Sequence, residues 1–153
     1  VTFNNIYTTN IVTDTIYRYN TGINVKTQPY TYKMDALDKC NYRTALSTTH
    51  QSIYLDATTL TQNSNIVVWT GYKGWIPGSF VYKLYRGAVY TGPYKFTAQF
   101  TDADTTFIDT HLCDSDYYYY VEAVQATTNF VSRSNIDLNH PPFYIPNFPV
   151  DLI

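Results

Sequence analysis

Apolar residues recur at every second position in short runs along this chain, and the runs are broken by Thr, Asn, Asp and Gly. In Tyr30-Thr31-Tyr32-Lys33-Met34-Asp35-Ala36 one parity is apolar and the other is Thr, Lys and Asp. A strict period of two predicts a strand with one buried face. The same strand is written a second time as Tyr117-Tyr118-Tyr119-Tyr120-Val121-Glu122-Ala123, at a constant offset of 87. Val12-Thr13-Asp14-Thr15 matches Phe107-Ile108-Asp109-Thr110 at an offset of 95, which leaves eight extra residues in the first copy, within RYNTGINVKTQ. Ser47 and Ser134 also fall in register at 87. In the second copy the predicted strands are Ile66–Trp69, Phe80–Arg86, Tyr94–Phe100, Thr106–Asp109, Tyr117–Val124 and Val131–Leu138, with a first one near Ser52–Leu55. Seven short strands repeated at such a period predict an all-β chain of tandem sandwiches, the first only partial. Projected from the first copy, Tyr117, Tyr119, Val121 and Ala123 face inward, and Tyr118, Tyr120 and Glu122 outward.

Composition agrees with that class. The 153 residues are 44% apolar, enough for a real core, and include 17 Tyr. Only 14% are charged and the formal net charge is −2, so no basic field favours nucleic acid or an anionic membrane surface. No apolar run approaches the roughly 20 residues of a spanning helix, and VTFNNIYTTN does not read as a signal peptide.

The order Val-x-Trp, Tyr-x-Leu-Tyr-Arg, Thr-x-Phe-x-Asp-Thr-x-Leu, Tyr-x-Tyr-x-Val-x-Ala and Ser-x-Ser-Asn resembles a fibronectin type III domain across residues 53–139. The resemblance implies an immunoglobulin-like sandwich with Trp69, Tyr82, Leu84, Leu112, Tyr117, Tyr119, Val121 and Ala123 in its core. That family usually places six residues from the loop Leu to its corner Tyr, whereas Leu112 to Tyr117 is five. Tyr118 is therefore the alternative corner, and the alternation of the first copy favours Tyr117. Residues 1–52 match only the later half of the repeat, so they are expected to be the closing half of a similar domain in a longer polypeptide. Residues 140–153, within a stretch from Asn139 that holds four of the seven prolines, are expected to be a linker.

WTGYKGW (69–75), YKLYR, YYYYVEAV and SRSN further resemble the fibronectin-like repeats of large Bacteroidetes surface proteins exported by the type IX secretion system, gliding adhesins among them. ALDKCNYRTALS (36–47) resembles their Asp-x-Cys-Gly-Asn-x-Ser segment, with Tyr42 departing from it, and Ile145-Pro146-Asn147-Phe148-Pro149 is similar to the opening of their sorting domain, without its Gly-Asp-Gly. The resemblance implies a secreted, cell-surface location and, as partners, neighbouring repeats, the type IX machinery and surface glycans.

Candidate chemistry is sparse. His50, His111 and His140 have no spacing that converges on a metal, and no Gly-x-Ser-x-Gly elbow, phosphate-cradling loop or His-Glu-x-x-His occurs. Asp102, Asp104 and Asp109 read first as turn residues and only second as calcium ligands, since the Gly and terminal Glu of an EF-hand loop are missing. No catalytic residue, cofactor or metal is therefore expected. Cys40 and Cys113 belong to opposite poles of successive modules and are not expected to pair with each other; each either bridges outward to another repeat or is a buried free thiol. Trp75 either packs over the sandwich rim or offers a sugar-stacking ring. Tyr118 and Tyr120 are candidates for a partner face, and Thr15 and Thr105 follow Asp in short Asp-Thr motifs like those of Bacteroidetes O-glycosylation. The reading is a non-catalytic structural and adhesive repeat; the alternative is a spacer or carbohydrate-binding accessory module of a secreted hydrolase.

Overall fold

The computed structural model describes residues 5–9, 17–18, 21–40 and 42–142. Their strands are β1 (Thr31–Tyr32), β2 (His50–Gln51), β3 (Leu55–Thr61), β4 (Ser64–Trp69), β5 (Phe80–Gly87), β6 (Tyr94–Thr101), β7 (Thr106–Asp109), β8 (Tyr117–Gln125), β9 (Val131–Arg133) and β10 (Asp137–Asn139). Among the described residues there is no helix.

From β3 onward the strands form one complete sandwich. One sheet runs β3-β4-β7; the other runs β10-β8-β5-β6, with β9 on the same edge of β8 as β10. Every pairing is antiparallel. The inner faces are the apolar parities: Leu55 and Ala57 of β3, Val67 and Trp69 of β4, Tyr82 and Leu84 of β5, and Tyr119, Val121 and Ala123 of β8 are all buried. Fully burying one Val or Leu contributes about 1.5–3 kcal/mol, so this interlayer sets the parity of each strand. Trp69 lies at its centre, edge-on to Tyr82 at 5.7 Å and tilted against Phe100 at 5.3 Å. The fold class read from the alternation, all-β sandwiches with the first partial, is the one observed.

Two boundaries differ from the sequence reading. The first strand lies later, at Leu55–Thr61, because Ile53 and Leu55 alternate into the core with Ala57 while Asp56 and Thr58 stay outside. The last strand is broken into β9 and β10. Glu122 pairs with Arg133 but Tyr119 pairs with Asp137, so one extra residue is inserted between the two halves. The bend frees Asn135 to reach the other sheet. Leu55 N donates to Asn135 Oδ1 and Asn135 Nδ2 donates to Leu55 O, both at 2.8 Å. Two residues on, Ala57 N donates to Asp137 Oδ2 at 2.9 Å, and Asn139 Nδ2 donates to Thr59 Oγ1 at 3.0 Å. A polar zipper with the strand period of two thus closes this edge of the sandwich.

The repeat is visible in the bonding as well. Val121 N donates to Ser134 Oγ, Ser134 N to Val121 O, and Ser134 Oγ to Asn135 O. At the 87-residue offset Met34 N donates to Ser47 Oγ, Ser47 N to Met34 O, and Ser47 Oγ to Thr48 O. The corner tyrosines correspond too: Cys113 N donates to the Tyr117 hydroxyl at 3.0 Å, and Asn24 N to the Tyr30 hydroxyl at 2.8 Å. Tyr117 is therefore the corner residue, which fixes the parity of β8. The Val12–Thr15 motif lies outside the described residues.

The two copies meet without a spacer. Tyr30 N donates to Ser52 Oγ and Ser52 N to Tyr30 O, both at 2.8 Å, and Ile53 is already core. β2 also touches the loop after β4: Gln51 bridges Lys73, and His50 Nδ1 lies 2.7 Å from the Tyr72 hydroxyl.

Candidate functional site

The outer face of the larger sheet is the most unusual surface of the module. Antiparallel sheets commonly turn polar residues outward. Here the residues opposite one another across β10, β8, β5 and β6 are Leu138, Tyr118, Gly87 and Tyr94 in one row, with Tyr120, Tyr85 and Phe96 in the next. Tyr85 and Tyr120 stack at 4.9 Å, Tyr94 meets Tyr120 edge-on at 4.9 Å, and Tyr85 meets Phe96 at 6.0 Å. Tyr90, from the loop after β5, stands 6.2 Å from Tyr118. The Tyr94 ring lies over Gly87, so that a Cβ on Gly87 would come within 3.0 Å of it. This glycine keeps the aromatic row flat.

Of the two tyrosines expected on a partner face, only Tyr118 keeps a partly open ring. Tyr120 points outward but is 8% exposed, covered by Tyr85 and Tyr94 and by the Arg133 guanidinium 4.5 Å above its ring. Arg133 is held there by Glu122, with Nη2 to Oε1 at 2.6 Å. The open rings are instead Tyr90 and Phe96. Outward parity was the signal available for Tyr85; Tyr90 and Phe96 depend on a loop and on the register shift of β6 opposite Leu84 and Tyr85, which alternation does not reveal. Burial raises the phenol pKa of Tyr85, Tyr94 and Tyr120 above the ordinary value.

Trp75 is part of the rim. Its ring lies 4.4 Å from Tyr72 and 5.7 Å from Phe80, and it packs against the core cluster. That packing holds it at the rim, where it stays half-buried. Asp102 Oδ2 accepts from Gly78 N at 2.6 Å, and Asp104 Oδ2 accepts from Thr101 N and Oγ1, so both carboxylates tie turns. Asp109 is buried and takes both of its oxygens to Arg86 Nη1, at 2.9 and 2.7 Å; its Oδ2 also accepts the Tyr119 hydroxyl at 2.8 Å. Asn65 Nδ2 donates to that hydroxyl, and Asn139 Nδ2 donates to Asn65 Oδ1. Burial, more than the bond to Asp109, pushes the Tyr119 phenol far above its ordinary range. Asp102 and Asp104 thus act as the turn residues first read from the sequence, Asp109 is part of the buried network, and among the described residues no group of His, Cys, Asp and Glu is arranged to hold a metal.

His140 lies between two carboxylates, with Nδ1 2.8 Å from Asp116 and Nε2 2.7 Å from Asp114. Pro141 beside it is fully buried. The first residues of the segment read as a linker are therefore seated on the module, while 143–153, with the Ile145–Pro149 motif, lie outside the described residues. Cys40 and Cys113 are both exposed and free, so burial does not account for their being unpaired. Cys40 is in the tight turn whose Asp38 side chain accepts from Cys40 N and Tyr42 N; Cys113 precedes the corner Tyr117. Thr105 is half-buried in the turn ahead of β7, and its carbonyl accepts from Trp69 N. Thr15 lies outside the described residues.

No protein-family model matches the chain, and no curated protein sequence does. Among solved structures it is similar to the pectate lyase PelI from Erwinia chrysanthemi in complex with tetragalacturonic acid, with 19% identity, a TM-score of 0.49, and 57% of this chain and 28% of that one covered. It is similar to the fn3 domain of the human collagen alpha-1(XX) chain, with 22% identity, a TM-score of 0.43, and 63% and 87% covered. Domains d3-d4 of the rat CD45 extracellular region match at 11% identity and a TM-score of 0.46, over 91% of this chain and 77% of that one. The chain spans less than a third of the pectate lyase's length. Three strands facing β6, β5, β8 and the β9–β10 edge, with a corner tyrosine entering β8, make the complete module fibronectin type III-like in fold.

Proposed function

We propose that this chain is a non-catalytic structural and adhesive segment of a longer secreted or cell-surface protein, of the type of the gliding adhesins that Bacteroidetes export by the type IX secretion system. The observation that supports it best is the repeat itself. One closing hairpin, with the same serine-centred bonding, occurs twice, and the two copies are joined at Ser52 without a flexible linker. Modules coupled in this way act as stiff beads that hold a binding region away from an anchor. Neighbouring repeats are then the first partners. The exposed Cys40 and Cys113 each bridge outward in an oxidising compartment, and Thr105, with Thr15, takes the short O-glycan. An antibody against residues 53–142 should label intact, unpermeabilised source cells, and beads coated with the chain should adhere to a surface better than uncoated beads. Labelling only after permeabilisation, or equal adhesion of the two bead types, would sink the proposal.

A second reading, a carbohydrate-binding accessory module of a secreted hydrolase, is favoured by the aromatic outer face. Ring faces of Tyr90, Tyr118 and Phe96 offer flat contact area of the kind that suits the apolar faces of sugars. A screen against immobilised glycans with Tyr90→Ala and Phe96→Ala as controls separates the two readings. Binding abolished by either change supports the accessory module; no binding to any glycan discards it.

A further inference from the structure

Five tyrosines on the outer face of the larger sheet form a connected cluster. Tyr85 stacks on Tyr120, Tyr94 meets Tyr120 edge-on, and Tyr90 meets Tyr118. The Tyr94 hydroxyl donates to Tyr90 O at 2.8 Å, which joins the two groups. Phenol rings in contact share a reaction of their own, in which paired one-electron oxidation couples them through carbon. The members of the cluster are not equally placed for it. Tyr120 is covered by Arg133 and lies face to face with Tyr85, the planes 17° apart, so these rings do not present edges to each other. Burial also raises the phenol pKa of Tyr94 and Tyr120, which opposes loss of their protons. Tyr90 and Tyr118 differ on each count. Their planes are 71° apart, with the edge of one ring toward the other, and a twist of this kind suits two rings joined by a single bond. Tyr90 is 58% exposed and Tyr118 half-buried, so a dissolved oxidant reaches the pair. Tyr90 also sits in a turn closed by Gly92 N donating to Val89 O at 3.0 Å, among the exposed Ala88, Val89 and Thr91. Loop side chains of this kind move fast and far enough to bring two such ring edges together.

We infer that Tyr90 and Tyr118 are an oxidative modification site, at which hydrogen peroxide acting through a haem peroxidase joins the two rings as an intramolecular dityrosine. Each phenol gives up one electron and one proton, and the peroxide takes up both pairs and leaves as two molecules of water. The two phenoxyl radicals then pair at carbons ortho to their oxygens, forming one C–C bond. Each of those carbons loses its hydrogen as a proton while its oxygen gains one, which restores both aromatic rings. Gly87 of β5 lies opposite both Tyr118 and Tyr94, so the new bond ties the loop between β5 and β6 to β8 across the strand that separates them. Thiolate attack, which opens a disulfide, leaves a carbon–carbon link intact. The inference goes beyond both readings of function, as neither adhesion nor sugar binding is needed for it.

Peroxidase and limiting peroxide, applied to the dilute 153-residue chain, test it by mass spectrometry. The monomer should lose two hydrogen atoms in mass, and trypsin, which cuts after Lys and Arg, should release residues 87–95 joined to residues 96–133. Tyr94 and Tyr120 lie in the same two peptides, so fragment masses and variants separate the pairs. Tyr90→Phe and Tyr118→Phe, which keep their rings, should each lower the yield of joined peptides about tenfold or more. Tyr120→Phe should leave it within about twofold. Unfolding in urea before oxidation should lower it about fivefold, because the fold and not the sequence brings the rings together. No joined peptides, a yield that persists in Tyr118→Phe, or links between chains alone would overturn the inference. Fragment masses that place the bond between these peptides on any other pair of tyrosines would overturn it from the unmutated chain.

Discussion

Tyr119 and Tyr120 are neighbours in β8 and both are buried, by opposite means. Tyr119 lies in the core with its hydroxyl between Asn65 and Asp109; Tyr120 lies on the outside under Tyr85, Tyr94 and Arg133. Alternation assigns the side of the sheet, and did so correctly for both residues; it does not say what a loop or a neighbouring strand will lay over the outer one. The difference is measurable. Tyr119→Phe leaves a buried amide hydrogen and a buried carboxylate oxygen short of a partner, and should cost about 1–3 kcal/mol in urea unfolding. Tyr120→Phe keeps the stacked ring and should stay within about 0.5 kcal/mol of the parent. His140 gives a pH signature on the same scale. Its pKa is raised, first by the hydrogen bond to Asp116 and then by that to Asp114. A folded value above the unfolded one means that the clasp contributes fully below about 6.5, the ordinary histidine value, and is lost as pH rises through the folded value. NMR titration should therefore place the His140 midpoint above 6.5, and Asp116→Asn should lower it; an unshifted midpoint in the parent would show that the clasp does not form in solution.

At the scale of elements, six of the seven strands were legible within a few residues, most of them from a buried parity; β6 has no buried residue and was legible only from its strand-forming composition between turns. The polar zipper was not. Val131–Leu138 reads as one alternating strand, and the inserted residue shows only in the change of register between Arg133 and Asp137. Asn135, Asp137 and Asn139 look like ordinary outward polar positions of an edge strand until their partners 80 residues earlier are known. Asn135 is the strongest link because it satisfies both the N–H and the C=O of Leu55, a residue with no exposed surface. Asn135→Ala should cost about 2–4 kcal/mol, one unmet backbone group adding to the other, and should speed amide exchange at Leu55 more than at Val67 in the centre of the sheet. Asp137→Ala should do the same at Ala57 alone. Uniform acceleration of every amide would mean that the zipper stabilises the module as a whole and does not close one edge.

For the whole molecule, the contact between β2 and the loop after β4 decides whether two modules move as one. Its parts are the His50–Tyr72 hydrogen bond, the Gln51–Lys73 bridge and a glycine that lets the imidazole in. Gly74 has φ +133, a region that other residues rarely adopt, and a Cβ there would overlap the His50 ring. The sequence shows a Gly between Lys73 and Trp75, but nothing in it pairs that Gly with a histidine 24 positions earlier. Gly74→Ala combines backbone strain of about 1–3 kcal/mol with expulsion of His50, whereas Tyr72→Phe removes one hydrogen bond and keeps the ring against Trp75 and Phe80. Both should raise the rate of proteolysis between Ser47 and Ser52, Gly74→Ala the more, and the interatomic distance distribution from small-angle scattering should broaden in the same order. The melting transition of residues 53–142 should move little for Tyr72→Phe, since the core rings stay in place. Were that variant to unfold the complete module while the segment at 47–52 stayed resistant, the loop would be supporting the core and not the joint, and the stiffness of successive beads would have to come from elsewhere.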